Sequence, residues 1–137
     1  MSNEKSFNHL KALVVEDSKT ALLDMKTKLA TLIPKKNIFF AQDYWQAIKL
    51  LETQDFDVAF IDLHMPVKTG MDLIVDYVYV NPRTRNLPVI VTTGLSSESL
   101  VTHSLKNNTF RYLYKPIDLV EIKEALSNLP LRRNESK

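Results

Sequence analysis

The 137-residue chain contains no cysteine. That excludes disulfides, a thiolate nucleophile and any cysteine-ligated metal, so a bound metal would have to be held by oxygen or imidazole. An excess of charge is missing too: 18 Lys and Arg against 16 Asp and Glu leave a net charge of +2, with the basic residues scattered. No nucleic-acid surface is expected from such a balance. Lys35-Lys36 and Arg132-Arg133 are the concentrated basic features, and they read as solvated turn and tail residues. No apolar run approaches membrane-spanning length, and MSNEKSFNH at the N-terminus is too polar for a secretory signal. The expectation is a cytoplasmic protein with no membrane span. Internal repeats and low-complexity segments are absent as well. What remains, 45% hydrophobic and 25% charged, is the composition of an ordinary globular chain long enough for one core and too short for two.

Two periods alternate along the sequence. Short apolar runs at 12–15, 38–41, 58–61, 89–91 and, more weakly, 112–114 fit strands buried on both faces. Between them lie helical patterns: Leu22, Met25, Leu29 and Leu32 share one face, Tyr44, Ala47, Ile48 and Leu51 a second, and Leu119, Ile122, Leu126 and Leu129 a third. Ser18 or Asp17 stands to cap a first helix over 19–32, and Asp118, with Glu121 three residues on, to cap the last. The segment MDLIVDYVYV at 71–80 favours a strand by propensity, yet a helix is expected there, because a right-handed crossover must cover the sheet between the third and fourth strands. The next helical segment, SSESLVTHSLKNN at 96–108, has poor helix formers at Thr102, His103, Ser104 and Asn107 and is the weakest of the five. Five strands alternating with five helices predict an α/β domain with a parallel sheet covered on both faces. Its expected span is 9–129, with 1–8 as an N-terminal extension and PLRRNESK, 130–137, as a tail or the start of a linker.

In open parallel sheets, ligands bind beyond the carboxyl ends of the strands. The residues following the apolar runs are Glu16 and Asp17, then Asp62, then Thr92, Thr93 and Gly94, and finally Lys115 and Pro116. If the first and third strands are neighbours, three carboxylates converge, repelling by roughly 4 kcal/mol per pair at 4 Å and intermediate dielectric. A divalent cation relieves that, and hard oxygen donors without His or Cys point to Mg²⁺. Thr93 and Lys115 stand opposite as donors suited to an anionic phosphoryl group, with Asp62 between the two halves as a carboxylate nucleophile. Each residue has a plainer reading alone: Asp62 as a turn residue, the acidic pair as caps, Thr93-Gly94 as a turn, Lys115 as a solvated side chain. Four strand ends carrying them together are hard to explain that way.

With VVEDS at 14–18, FIDLHMPVKTG at 60–70, VIVTTG at 89–94 and RYLYKPID at 111–118, the chain resembles the receiver domain of bacterial two-component response regulators. The resemblance covers residues 9–129 and implies a flavodoxin-like, doubly wound five-stranded parallel sheet of order 2-1-3-4-5 with five helices. It further implies Asp62 as phosphoacceptor, Glu16 and Asp17 as the metal-binding acidic pair, and the backbone carbonyl of His64 as a further Mg²⁺ ligand. Thr93 then corresponds to the hydroxyl that moves onto the phosphoryl group, Lys115 to the phosphate-contacting lysine, and Tyr112 to the aromatic switch. Pro66, Gly70 and Pro116 fall at the family's structural positions, the Lys115-Pro116 bond being usually cis there. Tyr44 and Asn108 replace glycines frequent in the family, while His64, expected to face solvent, and Leu95 occupy variable positions that tune autodephosphorylation. Tyr44 and Trp45, adjacent at a helix start, are expected to be partly buried.

The function so implied is a signalling receiver and not an enzyme beyond its own phosphoryl transfer and autodephosphorylation. A sensor histidine kinase or a histidine phosphotransfer protein would supply the phosphoryl group. The surface of the fourth helix, fifth strand and fifth helix would then meet a downstream effector, an output domain or a second receiver in a phosphorylation-dependent homodimer, presenting residues such as Lys106, Tyr114 and Ile122. A phosphorylation-independent binding module with the same fold predicts a damaged site, and Glu16, Asp17, Asp62, Thr93 and Lys115 are all present. A phosphoester hydrolase working through an aspartyl intermediate commonly has a second Asp two residues after the nucleophile, where this chain has His64.

Overall fold

The structure, a computed structural model, describes residues 7–94 and 111–130. The helix expected over 96–108, and with it Leu95, Lys106 and Asn108, lies outside the described residues. Within them the chain alternates β1 (Ala12–Val15), α1 (Lys19–Leu29), β2 (Ile38–Ala41), α2 (Tyr44–Thr53), β3 (Val58–Asp62), α3 (Gly70–Leu73, continued as a π-helical stretch Ile74–Val78), β4 (Val89–Thr93), β5 (Arg111–Tyr114) and a C-terminal helix, α4 (Leu119–Ser127). All strand pairs are parallel, and the order is β2-β1-β3-β4-β5. The doubly wound sheet expected from the alternation is present.

Alternation along the strands sends side chains into two cores. On one face Leu13, Val15, Ala59, Ile61, Val89 and Val91 pack with Ala47 and Leu51 of α2 and Leu73, Ile74 and Val78 of the α3 segment. On the other, Val14, Phe60 and Ile90 pack with Met25 and Leu29 of α1 and Ile122, Ala125 and Leu126 of α4. β1, β3 and β4 are buried throughout, whereas β2 and β5 are only partly so, a correction to the expectation of five fully buried runs. They are the sheet's edges, and each has a neighbouring strand on one side only.

Other boundaries shift for local reasons. α1 stops at Leu29 and leaves Leu32 outside, since Pro34 disfavours helical geometry just before it. Ser18 caps α1 by accepting from the Ala21 amide, and Asp118 caps α4 by accepting from Val120. The segment after Gly70 is helical against its propensity, but α-helical for only one turn before its β-branched residues continue with π spacing. Ile122, expected on an exposed signalling face, is fully buried on the inner face of α4, while Tyr114 is 41% exposed. Tyr44 is buried with Lys68 over its ring, and Trp45 is 63% exposed, so only the first of the two aromatics packs inward.

The loop from β3 to α3 is tied at both ends. Gly70 N–H donates to the Leu63 carbonyl at 3.1 Å, and Thr69 and Asp72 form a reciprocal capping box. Between the ties Val67 has φ of 66°, a left-handed conformation that a β-branched side chain adopts only under strain, and it is 94% exposed. Asn tolerates that geometry and no packing would be lost, so Val67→Asn is expected to stabilise the fold by about 1 kcal/mol. A raised urea midpoint with an unchanged m-value would show it. An unshifted midpoint would mean that the strain is negligible.

Candidate functional site

The strand ends converge as the sequence spacing predicts, with one adjustment: β3 and β4 run further than their apolar cores, so Asp62 and Thr93 are the last residues of strands and not loop residues. Rigid ladders therefore fix them. Asp62 pairs in register with Thr92, the Leu63 amide donates to the Thr92 carbonyl, and the Lys115 amide donates to the Thr93 carbonyl at 2.8 Å. Glu16, one residue past β1, is held by its amide on the Ala41 carbonyl of β2.

Glu16, Asp17 and Asp62 each offer a carboxylate oxygen within 4.8 Å of the others. Glu16 and Asp62 are 3% exposed, and Asp17 lies open to solvent. Lys115 Nζ stands 2.7 Å from Glu16 Oε1 and 3.4 Å from Asp62 Oδ2. Burial raises the Glu16 pKa despite the opposing pull of Lys115 and of the Ser18 amide, which donates to Oε2. Burial works to lower Lys115, but the Glu16 hydrogen bond and the Asp62 charge outweigh it and hold the ammonium above the ordinary lysine range. The acidic trio thus offers hard oxygen donors from two buried carboxylates and one exposed one, a set that could hold a divalent cation.

The remaining expected residues fall around this cluster. The His64 amide donates to Asp62 Oδ1 at 3.1 Å, while its side chain is exposed. Thr93 is fully buried. Tyr112, half-buried, pairs with Val91, so it projects from the same face as Thr93, diagonally across the β4–β5 pair. The Lys115-Pro116 bond is cis, and Pro66 is exposed in the β3–α3 loop. Gly70 abuts the backbone of Asp62.

Three features at or near this end of the sheet escaped sequence reasoning. One is the Ser18 amide on Glu16, and a second is the strained Val67. The third is Lys28, whose Nζ reaches the Ile117 carbonyl at 2.6 Å across 89 positions of sequence. The first had a signal, since an amide two residues after an acidic side chain commonly donates to it.

Residues 12–127 match the family described as the response regulator receiver domain. The chain belongs to that family. Among curated relatives it is 29% identical to the response regulator protein PilR of Pseudomonas aeruginosa over 128 residues, covering 93% of this chain but 28% of PilR. It is 28% identical to the chemotaxis protein CheY of the same organism, covering 91% of this chain and 99% of CheY. The receiver domain of the Francisella response regulator 1452 superposes with a TM-score of 0.73 at 30% identity, covering 88% of this chain and 96% of that one. The receiver domain of sensor histidine kinase PA1611 from P. aeruginosa, solved with magnesium coordinated in its active-site cleft, shares the fold at a TM-score of 0.76 and 22% identity, with 88% and 96% coverage. Among the described residues no helix is long and apolar enough to cross a membrane.

Proposed function

We propose that this receiver domain is a phosphorylation-activated switch that takes a phosphoryl group from a phosphohistidine onto Asp62. The observation that carries the reading is the placement of a 3%-exposed Asp62 at a strand end, between two further carboxylates and the Lys115 ammonium. Glu16, Asp17, Asp62 and the His64 carbonyl would hold Mg²⁺, which when bound neutralises charge on the carboxylates and the phosphoryl oxygens. An Asp62 oxygen attacks phosphorus, the P–N bond of the phosphohistidine breaks, and its electron pair returns to the imidazole. The resulting aspartyl phosphate brings roughly two negative charges and three acceptor oxygens. Lys115, which already contacts Glu16 and Asp62, and the Thr93 hydroxyl would turn to the phosphoryl oxygens in that state and so bias an equilibrium toward it. Tyr112, on the same face as Thr93, would follow the threonine inward and alter the surface around β5 and α4 for a downstream effector, an output domain or a second copy. Autodephosphorylation would return the switch to rest.

Intact-protein mass after incubation with acetyl phosphate tests this. Wild type with Mg²⁺ is expected to gain one phosphoryl adduct, while Asp62→Asn, or wild type with chelator, gains none. No adduct on wild type, together with no response to beryllofluoride, would overturn the switch and leave a phosphorylation-independent binding module.

A further inference from the structure

Lys28 lies in the last turn of α1, far from the carboxylates in sequence. Its ammonium donates to the Ile117 carbonyl at 2.6 Å and to Asp24 Oδ2 at 2.9 Å, with the lysine side chain 28% exposed and that of Asp24 51% exposed. Ile117 is two residues from Lys115. Its side chain is 4% exposed and packs in the core that includes Met25 and Leu29 of α1. Its carbonyl precedes the α4 cap: the first carbonyl that α4 uses is that of Asp118, which accepts from Ile122. The Ile117 carbonyl therefore falls outside the helical ladder, and Lys28 supplies its donor.

The segment carrying Lys115 is thus pinned at three points. The Lys115 amide is on Thr93, the Ile117 carbonyl is on Lys28, and Asp118 caps α4. Pro116 between the first two has its φ fixed by the ring, so a displacement of Ile117 passes to Lys115 with little slack. A charge-assisted bond is the strong member of this set. We infer that Lys28 is a positioning residue: by holding the Ile117 carbonyl it sets where the Lys115 ammonium stands against Asp62. α1 then contributes to the site at both ends, with Glu16 and Asp17 leading into it and Lys28 closing it. The inference rests on the proposed phosphoryl chemistry at Asp62.

The test compares wild type with Lys28→Met, Lys28→Arg and Asp24→Asn. It reads the rate of acetyl phosphate labelling, the affinity for beryllofluoride and the affinity for Mg²⁺ alone. Lys28→Met is expected to weaken labelling and beryllofluoride binding roughly tenfold, short of the hundredfold that a 1 Å misplacement can cost. It should not weaken Mg²⁺ binding, because Lys115 is not a metal ligand. Lys28→Arg, which keeps a cationic donor, should recover most of the loss, and Asp24→Asn should stay near wild type. Labelling of Lys28→Met at the wild-type rate would overturn the inference, as would equal losses toward beryllofluoride and Mg²⁺, the pattern of general structural damage. No labelling of wild type would instead overturn the phosphorylation reading beneath it.

Discussion

Gly70→Ala is expected to destabilise the protein by about 3 kcal/mol, at the upper end of ordinary overpacking. A Cβ built on Gly70 would stand 1.9 Å from the Asp62 carbonyl oxygen, 2.8 Å from its carbon and 2.9 Å from Leu63 Cα. All three are backbone atoms, so none can swing aside as a side chain could. No glycine in the described chain has positive φ, which makes space and not backbone freedom the reason for glycine here. The helix propensity of alanine at this first helical position offsets the clash by about 1 kcal/mol at most. Relief would have to come from moving the end of β3, and with it the Asp62 carboxylate, so acetyl phosphate labelling should fall alongside stability. Gly94 supplies the control: nothing lies within 4 Å of a Cβ built there, and Gly94→Ala should stay within about 0.5 kcal/mol of wild type. Urea denaturation of both variants decides it, and a Gly70→Ala midpoint equal to wild type would show that the loop has room to shift.

Strand positions were legible because three of the five strands are buried on both faces, which leaves short apolar runs that little else explains. The site was legible for the same reason: in a parallel sheet, polar residues that end apolar runs share one edge, and Glu16, Asp17, Asp62 and Lys115 do meet there. Ile122 teaches the opposite lesson. Its spacing with Leu126 already placed it on the apolar face of α4, and the surface inferred from the resemblance overrode a periodicity that the buried Ile122, Ala125 and Leu126 confirm. Val67 gave no sign, since a lone valine in a loop does not announce φ, which the ties at Leu63 and Thr69 impose. Lys28 gave none either. Its partner is a backbone carbonyl, which has no residue identity to read, across 89 positions.

Lys115→Met is expected to act in opposite directions on the two halves of the site. Methionine keeps most of the apolar stem but removes the cation beside two carboxylates that are each 3% exposed. Without a divalent ion, breaking such a pairing costs about 3 kcal/mol, because the partner charges stay buried and uncompensated. Mg²⁺ should then bind the variant more tightly than wild type, since Glu16 Oε1 no longer has an ammonium at 2.7 Å and the incoming cation meets no like charge. Stability should accordingly recover as Mg²⁺ rises, by the mass-action term of a ligand that binds only the folded state. Phosphoryl acceptance should fall even where the metal site is saturated, because the donor facing the phosphoryl oxygens is gone. Calorimetric Mg²⁺ titration beside acetyl phosphate labelling separates these effects. Weaker Mg²⁺ binding in the variant would mean that Lys115 organises the carboxylates for the metal instead of competing with it. Unchanged labelling at saturating Mg²⁺ would remove Lys115 from the phosphoryl site.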